Sequence, residues 1–289
     1  AQLSRGLGDV YKRQEYERTA ITSLLQKFDY LFLLRPTLFF PVWVVFAAGH
    51  LTSLRYATDA AGAGIAGGWS LFLIGVALTF LMGSAFIINQ IYDEQTDREN
   101  DKLFLIANGH VSKSAARIEA GVLLVLSLAI SAYFDLQIFS LFLVTFLLTG
   151  LAYSMPPLQL KNHAIPGLLL NAIGALLMFT AGWMTTETMS TAAAWHAIPY
   201  VSAVAAVYLL TTLLDSQGDA QNEKITFAVQ FGKQATLILA LIFEIMSLSI
   251  AYMIEDPVIF YPALFSAPLF FVPLFLDEIR HVERAIKYP

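Results

Sequence analysis

The sequence predicts an all-α protein: a polytopic transmembrane helical bundle of eight spans, with its chemistry gathered at the cytoplasmic face. Three observations carry that expectation. Of 289 residues, 57% are hydrophobic and only 13% charged, with a mean hydropathy of +0.64, whereas a soluble domain carries about 25% charged residues. Apolar runs of about twenty residues, long enough to cross a bilayer core, recur along the chain. The positive charge is also lopsided. With a cytoplasmic N-terminus, Arg55 is the one Lys or Arg on the far side, and the other sixteen of seventeen fall in the N-terminal segment, in loops after even-numbered spans, in the tail, or in the cytoplasmic halves of spans 1 and 3. Retained basic loops of this kind set membrane orientation.

Every backbone group inside lipid needs an internal partner, so apolar segments of this length form helices. The spans read near 28–50, 69–91, 115–134, 137–153, 164–184, 197–214, 235–254 and 258–276, the fourth being short. Residues 1–27 are mixed polar sequence without a secretory pattern and read as an N-terminal extension, native or foreign to the protein. Residues 28–276 read as the membrane domain, and 277–289 as a cytoplasmic tail. The absence of cysteine excludes disulfides, thiolate metal sites and Cys nucleophiles. The five histidines, at 50, 110, 163, 196 and 281, show no ligand spacing. No nucleic-acid partner is expected.

The polar chemistry lies after spans 2, 4 and 6. After span 2, "NQIYDEQTDREND" places Asn89, Asp93, Asp97 and Asp101 at steps of four, on one helix face. After span 6, Asp215 and Asp219 repeat the spacing at the corresponding point. The recurrence four spans apart is consistent with two related four-helix halves. Carboxylates so placed repel one another unless a cation lies between them. Mg2+ fits that role, because it takes hard oxygen ligands and commonly joins one or two carboxylates to a substrate phosphate. A single pair of acids at a membrane boundary is equally a solvated face. Two pairs on one side, with Asn89 a turn deeper where lipid would tolerate it poorly, favour a site.

After span 4, "YSMPPLQLKN" ends a helix at Pro156 and Pro157, which cannot donate backbone hydrogen bonds. The stop would hold Tyr153 and Ser154 at the bundle mouth and Lys161 just outside it. A lysine there can pair with phosphate oxygens, and a tyrosine face can stabilise a carbocation.

These three segments, "NQIYDEQTDREND", "YSMPPLQLK" and "DSQGDAQNEKITFAVQFG", resemble in order and placement the cytoplasmic signatures of the UbiA superfamily of intramembrane prenyltransferases. "LRPTLF", 34–39, is similar to the start of the family's first helix, and Asn171 sits where the family often has Asn in span 5. The resemblance implies Mg2+-dependent transfer of a prenyl group from an allylic prenyl diphosphate to a hydrophobic acceptor at the bilayer. It implies that Asp93, Asp97, Asp215 and Asp219 hold Mg2+, with Asn89 binding substrate as part of the first metal–diphosphate cluster. Tyr153, Ser154, Lys161, Arg35, Lys102, Lys224 and Asn171 would contact the substrate. An aromatic or quinone-precursor acceptor is the commonest in the family.

Several positions depart from the family pattern. Gln90 and Thr212 stand where an additional Asp is usual, which points to weaker metal binding or an altered acceptor site. Phe104 and Leu105 replace an Arg-Pro, leaving Lys102 or Lys113 to supply positive charge, and Lys233 is a further phosphate candidate. The family usually has nine spans and this sequence supplies eight. Two other readings stay open: a relative that binds prenyl lipid without turnover, and an ion-coupled transporter. Transporter sites lie near the bilayer midplane, whereas these acids gather at one end, and Glu244 is the main ionisable residue within a span.

Overall fold

The computed structural model describes residues 28–55, 68–99 and 105–275. The expected N-terminal extension, the 277–289 tail, Asp101, Lys102 and Phe104 lie outside the described residues. Within them the chain forms eight principal helices, matching the eight expected spans: α1 (Phe39–Ser53), α2 (Gly68–Glu99), α3 (Lys113–Phe134), α4 (Leu136–Thr145), α5 (Ala164–Trp183), α6 (Thr191–Gln221), α7 (Phe227–Met253) and α8 (Pro257–Phe275). Six helical stretches are long and apolar enough to cross a membrane. The fourth and eighth are shorter, at Leu136–Ala152 and Pro257–Phe271.

Local sequence explains the helix ends. Ser112, Asp135 and Ser190 sit in extended backbone and accept hydrogen bonds from the first-turn amides of α3, α4 and α6, which satisfies donors that a helix start otherwise leaves orphaned. The Asp256 carboxylate does the same for Val258 at the start of α8. α4 runs on through a π-helical stretch, Phe146–Ala152, a wide turn often found near functional sites. Gly232, at φ 77°, breaks α7 after its first turn, a conformation that only glycine adopts without steric cost. The membrane helices α2 and α6 outrun the spans read from hydropathy, continuing to Glu99 and Gln221. Both acid pairs therefore stand on regular helix.

Packing divides the bundle. α2, α3 and α4 lie together, α5 to α8 pack in succession, and α1 lies against α5. The α1–α5 crossing is closest at two glycines: a Cβ on Gly182 would sit 1.8 Å from the Phe46 carbonyl oxygen, and one on Gly49 2.0 Å from that of Phe179. Small residues at such crossings let helix backbones meet in lipid, where hydrophobic attraction between helices is lost. Around the crossing, Phe46, Phe142, Phe179, Trp183 and Tyr200 are buried and close one end of the bundle. α2 and α6 touch at only a few positions, which leaves space between them toward the opposite end.

Gly182→Ala should lower the melting temperature in detergent, since an overpacked contact costs about 1–3 kcal/mol. Gly121→Ala, on an exposed face of α3 with open space around it, should leave the melt unchanged or slightly raised. Equal melts for the two variants would refute the close crossing.

Candidate active site

Antiparallel alternation brings the starts of α1, α5 and α7 and the ends of α2, α4 and α6 to one end of the bundle. A cavity of about 590 Å³ opens there, reaching from Asp97 on α2 and Asp219 on α6 inward to Met82 and Met178. At 1.5 Å per helical residue, Asp93 to Met82 spans about 17 Å. The inner wall is apolar, formed by Val42, Val45, Met82, Ala175, Met178 and Val204.

The mouth is charged. Asp93, Asp97, Asp215 and Asp219 all line it, as do Arg35, Lys161 and Lys224. Lys161 Nζ lies 2.7 Å from Asp93 Oδ2, and Lys224 Nζ 2.7 Å from Asp93 Oδ1. Arg35 pairs with Asp97 Oδ2 at 2.9 Å. Thr226 Oγ1 donates to Asp219 Oδ2 at 3.0 Å. Burial pushes the Lys161 ammonium below the ordinary lysine value, and Asp93 pulls it back up.

The loops that carry these lysines are tied together. The Ile225 amide donates to the Asn162 carbonyl at 2.8 Å, within an isolated bridge between His163 and Ile225. The Lys224 amide donates to the Asp219 carbonyl at 2.9 Å. The loop after α4 and the loop after α6 thus form one rim.

Just inside the charged mouth, Asn171 Nδ2 donates to the Tyr153 hydroxyl at 3.2 Å, and the Tyr208 hydroxyl lies near that of Tyr153. Tyr208 also lines the cavity. Its hydroxyl fills the space beside Gly167, where a Cβ would stand 2.4 Å from it.

The sequence of the chain agrees with known proteins at this point. The family model described as UbiA prenyltransferase family matches residues 38–285. The chain belongs to the UbiA prenyltransferase family. A UbiA homolog from Archaeoglobus fulgidus bound to GPP and Mg2+ superposes with a TM-score of 0.65 at 22% identity, over 86% of each chain. The same homolog bound to DMAPP and Mg2+ gives 0.64 at 23%, again over 86% of each. Homogentisate phytyltransferase from Synechocystis sp. is 30% identical over 173 residues, 56% of either chain. The match thus spans little more than half the length of that relative. Membership of the UbiA family and the long apolar helices make this an integral, multi-pass membrane protein.

Most of the expected UbiA site residues meet at the cavity. Arg35, Asn89, Tyr153 and Asn171 line it together with the acids, Lys161 and Lys224. Ser154 is fully buried, off the cavity surface, and accepts from Asn89 Nδ2 at 3.3 Å. Its place is to orient Asn89. Lys113 pairs with Glu94 at 2.5 Å instead of reaching the cavity, and Lys233 is exposed away from it. Thr212 lines the cavity with its hydroxyl bonded to the Leu209 carbonyl at 2.7 Å.

Gln90 turns out differently from its sequence reading as a metal or acceptor determinant. It faces away from the cavity, buried, and donates to the Leu33 carbonyl at 2.6 Å and the Phe86 carbonyl at 3.2 Å. A carboxylate there would have no proton to donate, so an amide is what holds the residues before α1 against α2. Sequence reasoning missed Thr226 and Tyr208. Thr226 sits inside the third motif, seven residues after Asp219, with no spacing signal of its own. Tyr208 lies about two turns inward of Asp215, among apolar neighbours.

Gln90→Leu should lower the melting temperature in detergent, because an unpaired buried carbonyl costs about 1–3 kcal/mol. Lys233→Gln should leave it unchanged. A Gln90→Leu melt equal to wild type would remove the tie between Leu33 and α2.

Proposed function

We propose that the chain transfers a prenyl group from an allylic prenyl diphosphate to a hydrophobic acceptor, releasing diphosphate, with Mg2+ required. One observation carries the reading: acid pairs on opposed helices and three cations share one mouth, above an apolar chamber closed at its far end. The mouth suits a diphosphate and the chamber suits its prenyl tail.

The donor set fits Mg2+, for it consists of carboxylate oxygens on two facing helices. Asp93, Asp97, Asp215 and Asp219 would hold it. Among the described residues no three His, Cys, Asp or Glu side chains gather closely enough to hold a metal by themselves. Substrate oxygens and water would complete the coordination, the usual arrangement for Mg2+ at phosphate sites. When bound, Mg2+ supplies Lewis-acid stabilisation of negative charge on the departing diphosphate.

The residues do the rest. Lys161, Lys224 and Arg35 bind and orient diphosphate oxygens. The Tyr153 and Tyr208 rings, which line the cavity, would stabilise positive charge developing at the allylic carbon, since aromatic faces stabilise cations. As the carbon–oxygen bond breaks, its electron pair leaves with the diphosphate. The acceptor's nucleophilic atom then bonds to that carbon and gives up a proton toward the hydrated mouth. The apolar chamber keeps water away from the cation meanwhile. This arrangement places stabilisation where charge develops, the largest contribution in most enzymes.

The relative named homogentisate phytyltransferase supports an aromatic acceptor or quinone precursor. The bias of Lys and Arg supports an orientation with the mouth facing the cytoplasm.

Membranes holding the protein, given labelled geranylgeranyl diphosphate, Mg2+ and a panel of aromatic acceptors, should release diphosphate in proportion to prenylated product. Asp219→Asn and Asp215→Asn should each cut turnover by about a hundredfold or more while eluting as folded protein in detergent. Prenyl diphosphate binding without any diphosphate release would replace the transferase with a prenyl-lipid binder, and undiminished turnover in both variants would remove the site.

A further inference from the structure

The cavity mouth sets four carboxylates, Asp93, Asp97, Asp215 and Asp219, against three cations, Arg35, Lys161 and Lys224. The cations are unevenly placed. Two of them converge on one carboxylate, with Lys161 2.7 Å from Asp93 Oδ2 and Lys224 2.7 Å from Asp93 Oδ1. These side chains are deeply set, Lys161 at 7% exposure, Asp93 at 12% and Lys224 at 13%. A charge held there without a partner is costly, because it has lost most of its hydration.

An incoming divalent cation therefore competes at either Asp93 oxygen with an ammonium group already bonded there. A displaced lysine then needs another anion close by. A diphosphate at the same mouth supplies one, since its oxygens accept strong charge-assisted bonds from lysine.

The converse holds as well. A diphosphate arriving alone adds negative charge to a wall where carboxylates already outnumber cations by four to three. Metal alone competes with the lysines for Asp93, and diphosphate alone adds repulsion. Together each offsets part of the other's charge.

The backbone geometry permits the exchange without moving the fold. The Lys224 amide is held by the Asp219 carbonyl at 2.9 Å, and its neighbour Ile225 by the Asn162 carbonyl at 2.8 Å. Thr226 is bonded to Asp219. With the main chain fixed on both sides, what can swing is the flexible four-carbon stem of lysine.

Resting on the prenyl diphosphate reading above, we infer that Lys161 and Lys224 are exchangeable counter-ions of Asp93. They pass from its carboxylate to the diphosphate, so that diphosphate and divalent metal bind as one coupled unit. The coupling is reciprocal: whatever factor diphosphate adds to metal affinity, metal adds to diphosphate affinity. The site would thus be protected from filling with metal in the absence of substrate.

The test uses Mn2+ as probe, followed by electron paramagnetic resonance on the purified full chain in detergent, with inorganic diphosphate as the second ligand. Wild type should bind Mn2+ weakly alone. Lys224→Gln should bind Mn2+ alone about tenfold more tightly and inorganic diphosphate more weakly, a reversal of sign that general loss of structure cannot produce. Lys161→Gln should behave alike. Because the Lys161 ammonium is the more buried, Lys224→Gln stands as the deciding variant if Lys161→Gln does not fold. Mn2+ affinity unchanged or weakened in Lys224→Gln overturns the exchange while leaving the transferase reading intact. Failure of wild type to bind inorganic diphosphate even with Mn2+ overturns the transferase reading, and the exchange with it.

Discussion

The ion-pair cluster on Asp93 is the interaction on which the rest of this structure turns. One carboxylate on α2 accepts Lys161 from the loop after α4 and Lys224 from the loop after α6. Three separate parts of the chain meet in that contact. The Ile225–Asn162 backbone bond joins the two loops beside it, and Arg35 draws the start of α1 to Asp97. Charges of this kind are tolerated at a membrane boundary because they are paired and close to water. Deeper in the bundle the same groups would have no such relief, so the cluster marks where the polar end must be.

Below the cluster the structure changes character within a short distance. The amide of Asn171 donates to the Tyr153 hydroxyl, with Tyr208 beside them, and past them the wall is aliphatic to the aromatic layer around Trp183. That gradient, from ions through neutral hydrogen bonds to hydrocarbon, follows the polarity of a diphosphate joined to a prenyl tail. The glycines at the α1–α5 crossing serve the same end indirectly. Drawing those backbones together closes the far side, while α2 and α6 stay apart and leave the chamber between them.

Much of this was legible in the residues. The four-residue steps of "NQIYDEQTDREND" and the echo at Asp215 and Asp219 place acids on helix faces, and the helices do run on far enough to carry them. Parity of spans put all three motifs at one end, and the family resemblance followed from them. Tyr208 could not be found that way, since a tyrosine amid apolar residues on a membrane helix carries no periodic signal. Gln90 misled for the opposite reason. Its place in the motif looked chemical, but one step along a helix turns a side chain by about 100°, here away from the cavity and toward Leu33.

Sequence alone determined that the chain is helical and membrane-spanning, and that its acids, lysines and Tyr153 gather at one end. Those properties depend on hydropathy, helix period and the alternation of direction, all of which are local or additive along the chain. Only the tertiary structure decided which cation meets which acid, that two lysines share Asp93, and that Gln90 is structural. Those depend on the rotation of each helix about its own axis and on approach distances set by residues such as Gly49 and Gly182. They come from packing among helices distant in sequence, which no spacing within a single segment encodes.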